Sequence, residues 1–344
     1  LMDGFAVHSG DLASAGEVLR VVGEVAAGRR VRRRLARGEA MAIMTGAMLP
    51  EGADTVVPVE AASREGSLVR VLQKFSAGHA VAARGSDCPA GVRVLARGPR
   101  LEAAQLAVAA TVGAARLNVY RPPRAGVLST GDEVVAIASR PAAHKIRNAN
   151  NILVSMLLRR LGVEVSGESH VPDDPRRLSS AVSRALKQDL LFISGGLSMG
   201  KYDFVPKVLR DLGFHCRITK VRIRPGKPFL FATRDGGPFV FGLPGNPVSA
   251  YVCTLRLAAR LIKRMLGLPP DPLWLEMPLL EPLAANGPRE FYQPAQRQPG
   301  GVRPLPWKGS ADVFTLAVAD GLIVRPENDP ARAPGEIVRL LEMS

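Results

Sequence analysis

Cysteine is nearly absent, with three in 344 residues. Cys88, Cys216 and Cys253 lie far apart and form no Cys-x-x-Cys pair. That argues against a zinc site or a disulfide framework, and it fits a reducing compartment with the thiols packed in the core. Histidine is almost as scarce. His8, His79, His144, His170 and His215 show neither metal-ligand spacing nor a triad with a serine, so nucleophilic catalysis and a histidine metal site drop out. No uninterrupted apolar stretch reaches the roughly 18 residues that a membrane-spanning helix needs. Acids are in deficit, 31 against 46 Lys and Arg, which gives a formal charge of +15. Such a balance raises nucleic acid or acidic lipid as partners. Arg29, Arg30, Arg32, Arg33, Arg34 and Arg37 do cluster, but aromatic residues are only 5% of the chain and none interleave with them. The chain favours Arg, Ala, Gly and Pro throughout. A solvated basic loop is therefore the expectation, with no nucleic-acid and no membrane partner.

What is present is enough apolar content, 47%, to fill ordinary cores in roughly two to four domains of a folded, soluble chain. Residues 1–91 read as short β-segments broken by glycine, for example 17–25 and 54–59, and so as a β-rich module. Residues 92–122 hold an Ala-rich helix at 102–112 and a strand at 116–120. From residue 123 to 272 the period changes: strand 127–129, helix 151–161, strand 163–165, helix 175–187, strand 190–193, strand 239–241 and helix 248–266. Alternation of this kind predicts a doubly wound parallel sheet with ligands at the carboxyl ends of its strands. Residues 273–344 read as a second small β module, barrel-like, with strands at 322–324 and 337–340. The fold class is α/β multidomain.

The densest local signal is Gly242-Leu243-Pro244-Gly245-Asn246-Pro247-Val248-Ser249, between a strand and an apolar helix. Its prolines and glycines leave the backbone few shapes and let it approach a ligand closely. Alone, it reads equally well as a tight connection. Four more Gly-punctuated segments carry acids or hydroxyls: Met2-Asp3-Gly4-Phe5-Ala6-Val7, the Thr45-Gly46 to Ala53-Asp54 stretch, Ser129-Thr130-Gly131-Asp132-Glu133, and Ser194-Gly195-Gly196-Leu197-Ser198. A fifth, Arg224-Pro225-Gly226-Lys227-Pro228, is cationic. Asp3, Asp87, Glu133, Asp173 and Asp203 sit in turns beside Gly, Pro or polar residues. There a carboxylate is presented to solvent or to a hard cation such as Mg²⁺, though each acid taken singly is an ordinary turn residue. Lys220, Arg224 and Lys227, with Ser249 and Ser310, offer the fixed cations and neutral donors that a tetrahedral oxyanion needs.

Together and in this order, the segments resemble the MoeA family of molybdopterin molybdenumtransferases, which includes the E domains of gephyrin and of its plant counterpart. The resemblance spans nearly the whole chain and implies molybdenum cofactor biosynthesis in the cytoplasm. Adenylylated molybdopterin and molybdate are the implied substrates, and AMP is released with Mg²⁺ as cofactor. It implies catalytic roles for Asp3, Thr45, Asp87, Glu133, Asp173 and Asp203, with Glu133 and Asp203 on the metal. Thr130, Ser194, Gly195, Gly196, Ser198, Lys220, Pro244 and Pro247 would bind the pterin substrate, the Gly-Gly loop cradling its phosphate. Arg224, Lys227, Ser249, Arg289 and Ser310 would hold molybdate. Residues 92–122 would be the return half of an elongated linking domain. Since the first motif begins directly after Leu1, the leading segment is expected to be missing. The family is dimeric, each cleft being shared between subunits, and the upstream adenylyltransferase is an implied partner.

Departures from the pattern are visible. Arg224 stands where a lysine is usual, Ala149 where a hydroxyl is common, Cys88 where an aliphatic residue follows the acid, and Gln293 where an arginine is frequent. A gephyrin-like scaffold that binds peptides stays open as an alternative, as does a paralogue that handles tungstate or only binds pterin.

Overall fold

The computed structural model describes residues 2–197 and 204–343. Ser198 and Asp203 lie outside the described residues. The chain divides into two compact units, residues 1–96 and 97–344.

In the first unit β1 (Gly4–Val7), β2 (Val18–Val25), β3 (Glu39–Ile43), β4 (Thr55–Pro58), β5 (Ala62–Glu65) and β6 (Leu68–Val71) make one sheet ordered β4-β1-β3-β2-β6-β5. β1 is central and buried on both faces. Phe5 and Val7 pack with Leu19, Val57 and Val69, while Ala6 packs with Met41, Ile43 and Val56 on the other side. That is the period-2 rule at work. The arginine-rich stretch is partly paired within the unit, Arg33 to Glu39 at 2.8 Å and Arg37 to Asp11 at 3.1 Å.

The second unit opens with α1 (Ala103–Thr111), whose Glu102 and Gln105 form a capping box. The strand expected at 116–120 is not one. Those residues carry no ladder and are mostly exposed, because β-propensity without a neighbouring backbone to pair with does not make a strand.

β7 (Arg124–Thr130) then runs into the short parallel pair β8 (Val134–Val135) and β9 (Ile146–Arg147). After it come α2 (Asn150–Arg160), β10 (Glu164–Val171), α3 (Pro175–Arg184), β11 (Leu190–Ser194) and α4 (Val205–Asp211). β12 (His215–Ile218), β13 (Ile223–Arg224), β14 (Leu230–Thr233), β15 (Phe239–Leu243) and α5 (Pro247–Cys253) follow. The main sheet is ordered β10-β7-β11-β15-β14-β12. Its first four strands are parallel, β14 runs antiparallel to them, and β12 pairs antiparallel with β14 at the edge. Side chains alternate along β11: Leu190 and Phe192 join the core under α2 and α5, and Leu191 and Ile193 join the one under α3 and α4. The doubly wound expectation holds, with an antiparallel edge added.

The helix expected at 248–266 is interrupted. α5 passes through a π segment, Thr254–Ala258, before α6 (Ala259–Met265). Likewise α3 ends at Arg184 and residues 185–187 tighten to a 3₁₀ turn. Of the three thiols only Cys253 is buried, whereas Cys88 is exposed and Cys216 intermediate, so the expectation of core thiols fails for Cys88.

The last sheet contains β16 (Trp274–Pro278), β17 (Glu290–Gln298), β19 (Gly321–Arg325) and β20 (Ile337–Glu342), in the order β13-β17-β19-β20-β16, with β18 (Gly301–Pro304) on β17. A short α7 (Val313–Val318) precedes β19. Because β13 pairs with β17 in parallel, with Arg224 opposite Phe291, the cationic turn after β13 is hung from this sheet.

Candidate active site

A cleft of about 630 Å³ opens in the second unit where the carboxyl ends of β7, β11 and β15 converge. Thr130 and Gly131 reach it from β7, Gly195 and Gly196 from β11, and Pro244, Gly245 and Asn246 from β15. Parallel strands present their loops at one edge, which is why these three sequence segments meet.

Two of the glycines are dictated by space. At Gly195, φ is +97° and a Cβ would lie 2.5 Å from the Thr130 carbonyl oxygen. At Gly131, φ is +139° and a Cβ would meet the Glu133 carboxylate at 2.6 Å. A side chain at Gly195 would push its loop off Thr130, and one at Gly131 would be strained by the backbone and would displace the Glu133 carboxylate.

Hydrogen bonds wire the loops together. Thr130 Oγ1 donates to Asp173 Oδ1 at 2.7 Å, and the Asp173 N–H donates to Asp132 Oδ1 at 3.1 Å. Gly195 N–H donates to the Leu243 carbonyl at 3.0 Å. Asn246 Nδ2 donates to Ser310 Oγ at 2.7 Å, and the Ser310 carbonyl accepts the Val248 N–H at 3.0 Å, closing the first turn of α5. Asn246, at the N-cap position of α5, makes no side-chain cap. Ala149 likewise gives α2 no side-chain cap, and Asn148 Oδ1 accepts the Asn151 N–H instead at 3.2 Å.

The cleft also carries charge. Arg224, Lys227 and Arg289 line the cleft, and none of them has an ion pair among the described residues. Ser249 and Ser310 stand beside them, and Glu133 and Asp173 face the same cavity. Cations left without carboxylate partners in a concave site mark a place for an anion.

In the first unit Asp3 accepts from the Thr45 N–H at 2.7 Å and from Thr45 Oγ1 at 2.9 Å. These two donors hold its carboxyl below the usual carboxylate range, the backbone N–H acting most strongly. Asp87 is exposed in a bend and has no hydrogen bond to that pair.

Three family models match along the chain. They are MoeA N-terminal region (domain I and II) at 1–113, "Probable molybdopterin binding domain" at 126–264, and MoeA C-terminal region (domain IV) at 276–343. A molybdopterin molybdenumtransferase of Synechococcus elongatus is 36% identical, over 98% of this chain and 86% of its own. The chain belongs to the MoeA family. Another MoeA-family relative, a molybdopterin molybdenumtransferase of Nostoc sp., is 33% identical over 85% of this chain and 69% of its own. The crystal structure of a molybdopterin biosynthesis MoeA protein from Pyrococcus horikosii superposes with a TM-score of 0.81 at 29% identity, covering 100% of this chain and 86% of that one.

Of the residues that the MoeA resemblance singled out, Thr130, Glu133, Asp173, Gly195, Gly196, Pro244, Arg224, Lys227, Ser249, Arg289 and Ser310 line one cleft. Ser194 is buried beneath it, and Lys220 and Pro247 do not line it. Asp3 and Thr45 form a pair in the other unit. Two carboxylates on the cleft wall, with the Glu133 side chain unpaired among the described residues, suit Mg²⁺, which takes one or two carboxylates and leaves its other positions to water and substrate phosphates. Among the described residues no cluster of three or more His, Cys, Asp or Glu exists, so an all-protein metal cage is not what the site offers.

Sequence reasoning missed Trp307, which lines the cleft, and gave no role to Asn150, whose amide reaches Ser194 at the end of β11 and the loop after β15. Nothing local flags Trp307, which follows β18 in a Pro-rich stretch. Asn150 belongs to the Asn148-Ala149-Asn150 run that resembles the family pattern, but chain order does not show which loops it joins. His170 Nδ1 lies 3.1 Å from the buried Ser129 Oγ, which also accepts from Asn148 Nδ2 at 2.8 Å, so this serine–histidine contact is a lock between β7 and β10. No helix of the described residues is long and apolar enough to cross a membrane.

Proposed function

We propose that this enzyme transfers molybdenum in cofactor biosynthesis, taking adenylylated molybdopterin and molybdate and releasing AMP. The observation that carries this reading is the set of three cations unpaired among the described residues, Arg224, Lys227 and Arg289, which share with Ser249 and Ser310 the cavity that Glu133, Asp173 and the Gly195-Gly196 loop also line. A tetrahedral dianion meets fixed positive charge and hydroxyl donors on one wall. Across the cleft the glycine loop leaves room for a phosphate at backbone distance, as pyrophosphate groups require.

In this reading the chain's own groups orient and shield. Lys227, Arg224 and Arg289 hold molybdate, while Thr130, Ser194, Ser198, Lys220, Pro244 and Pro247 seat the pterin substrate. Glu133 and Asp203 would hold Mg²⁺, which would supply positive charge against the substrate phosphates. Asp173, tied to Thr130, keeps its carboxylate fixed in the site. Catalysis is then mainly placement of two substrates against each other.

We further read the chain as four modules, 1–91, 92–122, 123–272 and 273–344. It acts as a cytoplasmic homodimer in which Asp3, Thr45 and Asp87 of one subunit serve the cleft of the other. The adenylyltransferase that makes the substrate stands upstream. A peptide-binding scaffold would have no use for the unpaired cation set.

The test is direct. Purified protein is incubated with adenylylated molybdopterin, Mg²⁺ and molybdate, and AMP is followed. Molybdate-dependent AMP release is expected; AMP release that ignores molybdate, or none at all, overturns the reading.

A further inference from the structure

Arg224 is a long, exposed side chain with no carboxylate partner among the described residues, yet it lines the cleft. A free arginine at a surface samples many rotamers, and ordering it costs conformational entropy. Something other than an ion pair holds it. The guanidinium carbon sits 4.8 Å from the centroid of the Phe291 ring, and Phe291 in turn stacks on Trp307 at 5.8 Å between centroids and 28° between planes. The cause is the register of β13 on β17: Arg224 and Phe291 are direct neighbours across the parallel pair, so their side chains rise from the same face. Trp307 backs the ring from the loop after β18 and itself lines the cleft.

Stacking has a consequence that a salt bridge would not. A carboxylate partner would occupy the in-plane N–H groups of the guanidinium. A ring occupies its face and leaves the fork of donors free. We propose that Phe291 and Trp307 are positioning residues for the oxyanion site: an aromatic platform that holds the Arg224 guanidinium over a ring while leaving its N–H donors available to the cleft, and so sets how tightly a tetrahedral oxyanion is bound. This rests on the anion-binding reading of the cleft given above. Neither ring supplies charge or a hydrogen bond to the anion, and their effect passes through Arg224.

The platform is tested by binding alone, without turnover. Sodium molybdate is titrated into the full chain by calorimetry, for the parent, Phe291→Leu, Phe291→Tyr and Trp307→Leu, each also made in an Arg224→Ala background. Exposed cation–π contacts suggest that Phe291→Leu raises Kd about 2- to 5-fold, and Trp307→Leu about 2-fold. Phe291→Tyr, which keeps a ring, should stay near the parent. In the Arg224→Ala background neither leucine variant should weaken binding further. Equal weakening with and without Arg224, or failure of Phe291→Tyr to restore parental affinity, overturns the platform while leaving the anion site standing. A parent that binds no molybdate overturns the anion site, and the platform with it.

Discussion

Asn150 donates through one amide nitrogen to Ser194 Oγ at 2.7 Å and to the Gly245 carbonyl at 2.6 Å. A single side chain at the start of α2 thereby ties the end of β11 to the loop after β15, two segments whose following glycines line the cleft. Asn150→Ala removes both bonds. At about 0.5–1.5 kcal/mol each, the loss is about 1–3 kcal/mol. Thermal unfolding should shift down, and the pterin substrate's KM should rise more than molybdate's. Asn150→Asp, which cannot donate and turns a carboxylate toward two acceptors, should be no better than alanine. An alanine variant with parental melting and parental KM would show that the tie is idle.

Glu133 faces the cleft with its carboxylate unpaired among the described residues, so Glu133→Ala removes charge from the site and nothing from a core. AMP release should fall by orders of magnitude while the melting temperature stays within a few degrees of the parent. Near-parental turnover at saturating Mg²⁺ would remove Glu133 from the metal.

Lys227 offers the cleft a point charge. Lys227→Ala should raise the molybdate concentration for half-maximal turnover about tenfold or more, since a charge-assisted contact contributes roughly 1.5–3 kcal/mol. The KM for adenylylated molybdopterin should change less. Equal weakening of both substrates would move Lys227 to the phosphate side of the cleft.

Away from the cleft, Asp329 pairs with the buried Arg325 and with Arg332, and Arg325 also donates to the Ala284 and Pro330 carbonyls. With 3% and 5% of the Arg325 and Asp329 side chains exposed, removing the acid strands a buried charge. Asp329→Ala should cost about 3–5 kcal/mol at neutral pH. The carboxyl is held below its ordinary range, first by the Arg332 side chain and then by Arg325. A depressed carboxylate stabilises the fold above its unfolded pKa of about 3.9 and loses that contribution as pH falls through the folded value. The gap between parent and variant in chemical denaturation should therefore be full at pH 6–7 and narrow only on acidification below about 4. A gap unchanged in strong acid would mean that the loss comes from packing.

The proposed homodimer has its own check. An Asp3→Ala chain mixed under exchange conditions with a Glu133→Ala chain should regain AMP release, because a shared site is rebuilt once in each heterodimer. Heterodimer seen by native mass spectrometry without recovered activity would mean that each subunit works alone.

Several elements were readable from residue pattern alone. β11 is a short apolar run ending in two glycines, and β7 and β15 likewise stop at glycine or proline. The β-α alternation places all three side by side with their carboxyl ends together, so Thr130, Gly195 and Pro244 could be assigned to one edge from the sequence. The acids and cations of the cleft were visible as turn residues of the right chemistry. Boundaries were less legible: the π segment in the helix after Pro247 and the unpaired stretch at 116–120 depend on what lies beside them, and local propensity carries no record of that. Pairings between distant parts of the chain were not legible at all. Ser310 closes the first turn of α5, Asn150 joins two loops, and Phe291 and Trp307 support Arg224 only because β13 leaves the central domain's sequence to pair with β17. Residue chemistry read along the chain marked the groups that the proposed oxyanion and phosphate sites would use. Which of them stand free of partners and face the cavity was decided by tertiary packing, because an ion pair or a ring stack depends on neighbours that the chain order does not supply.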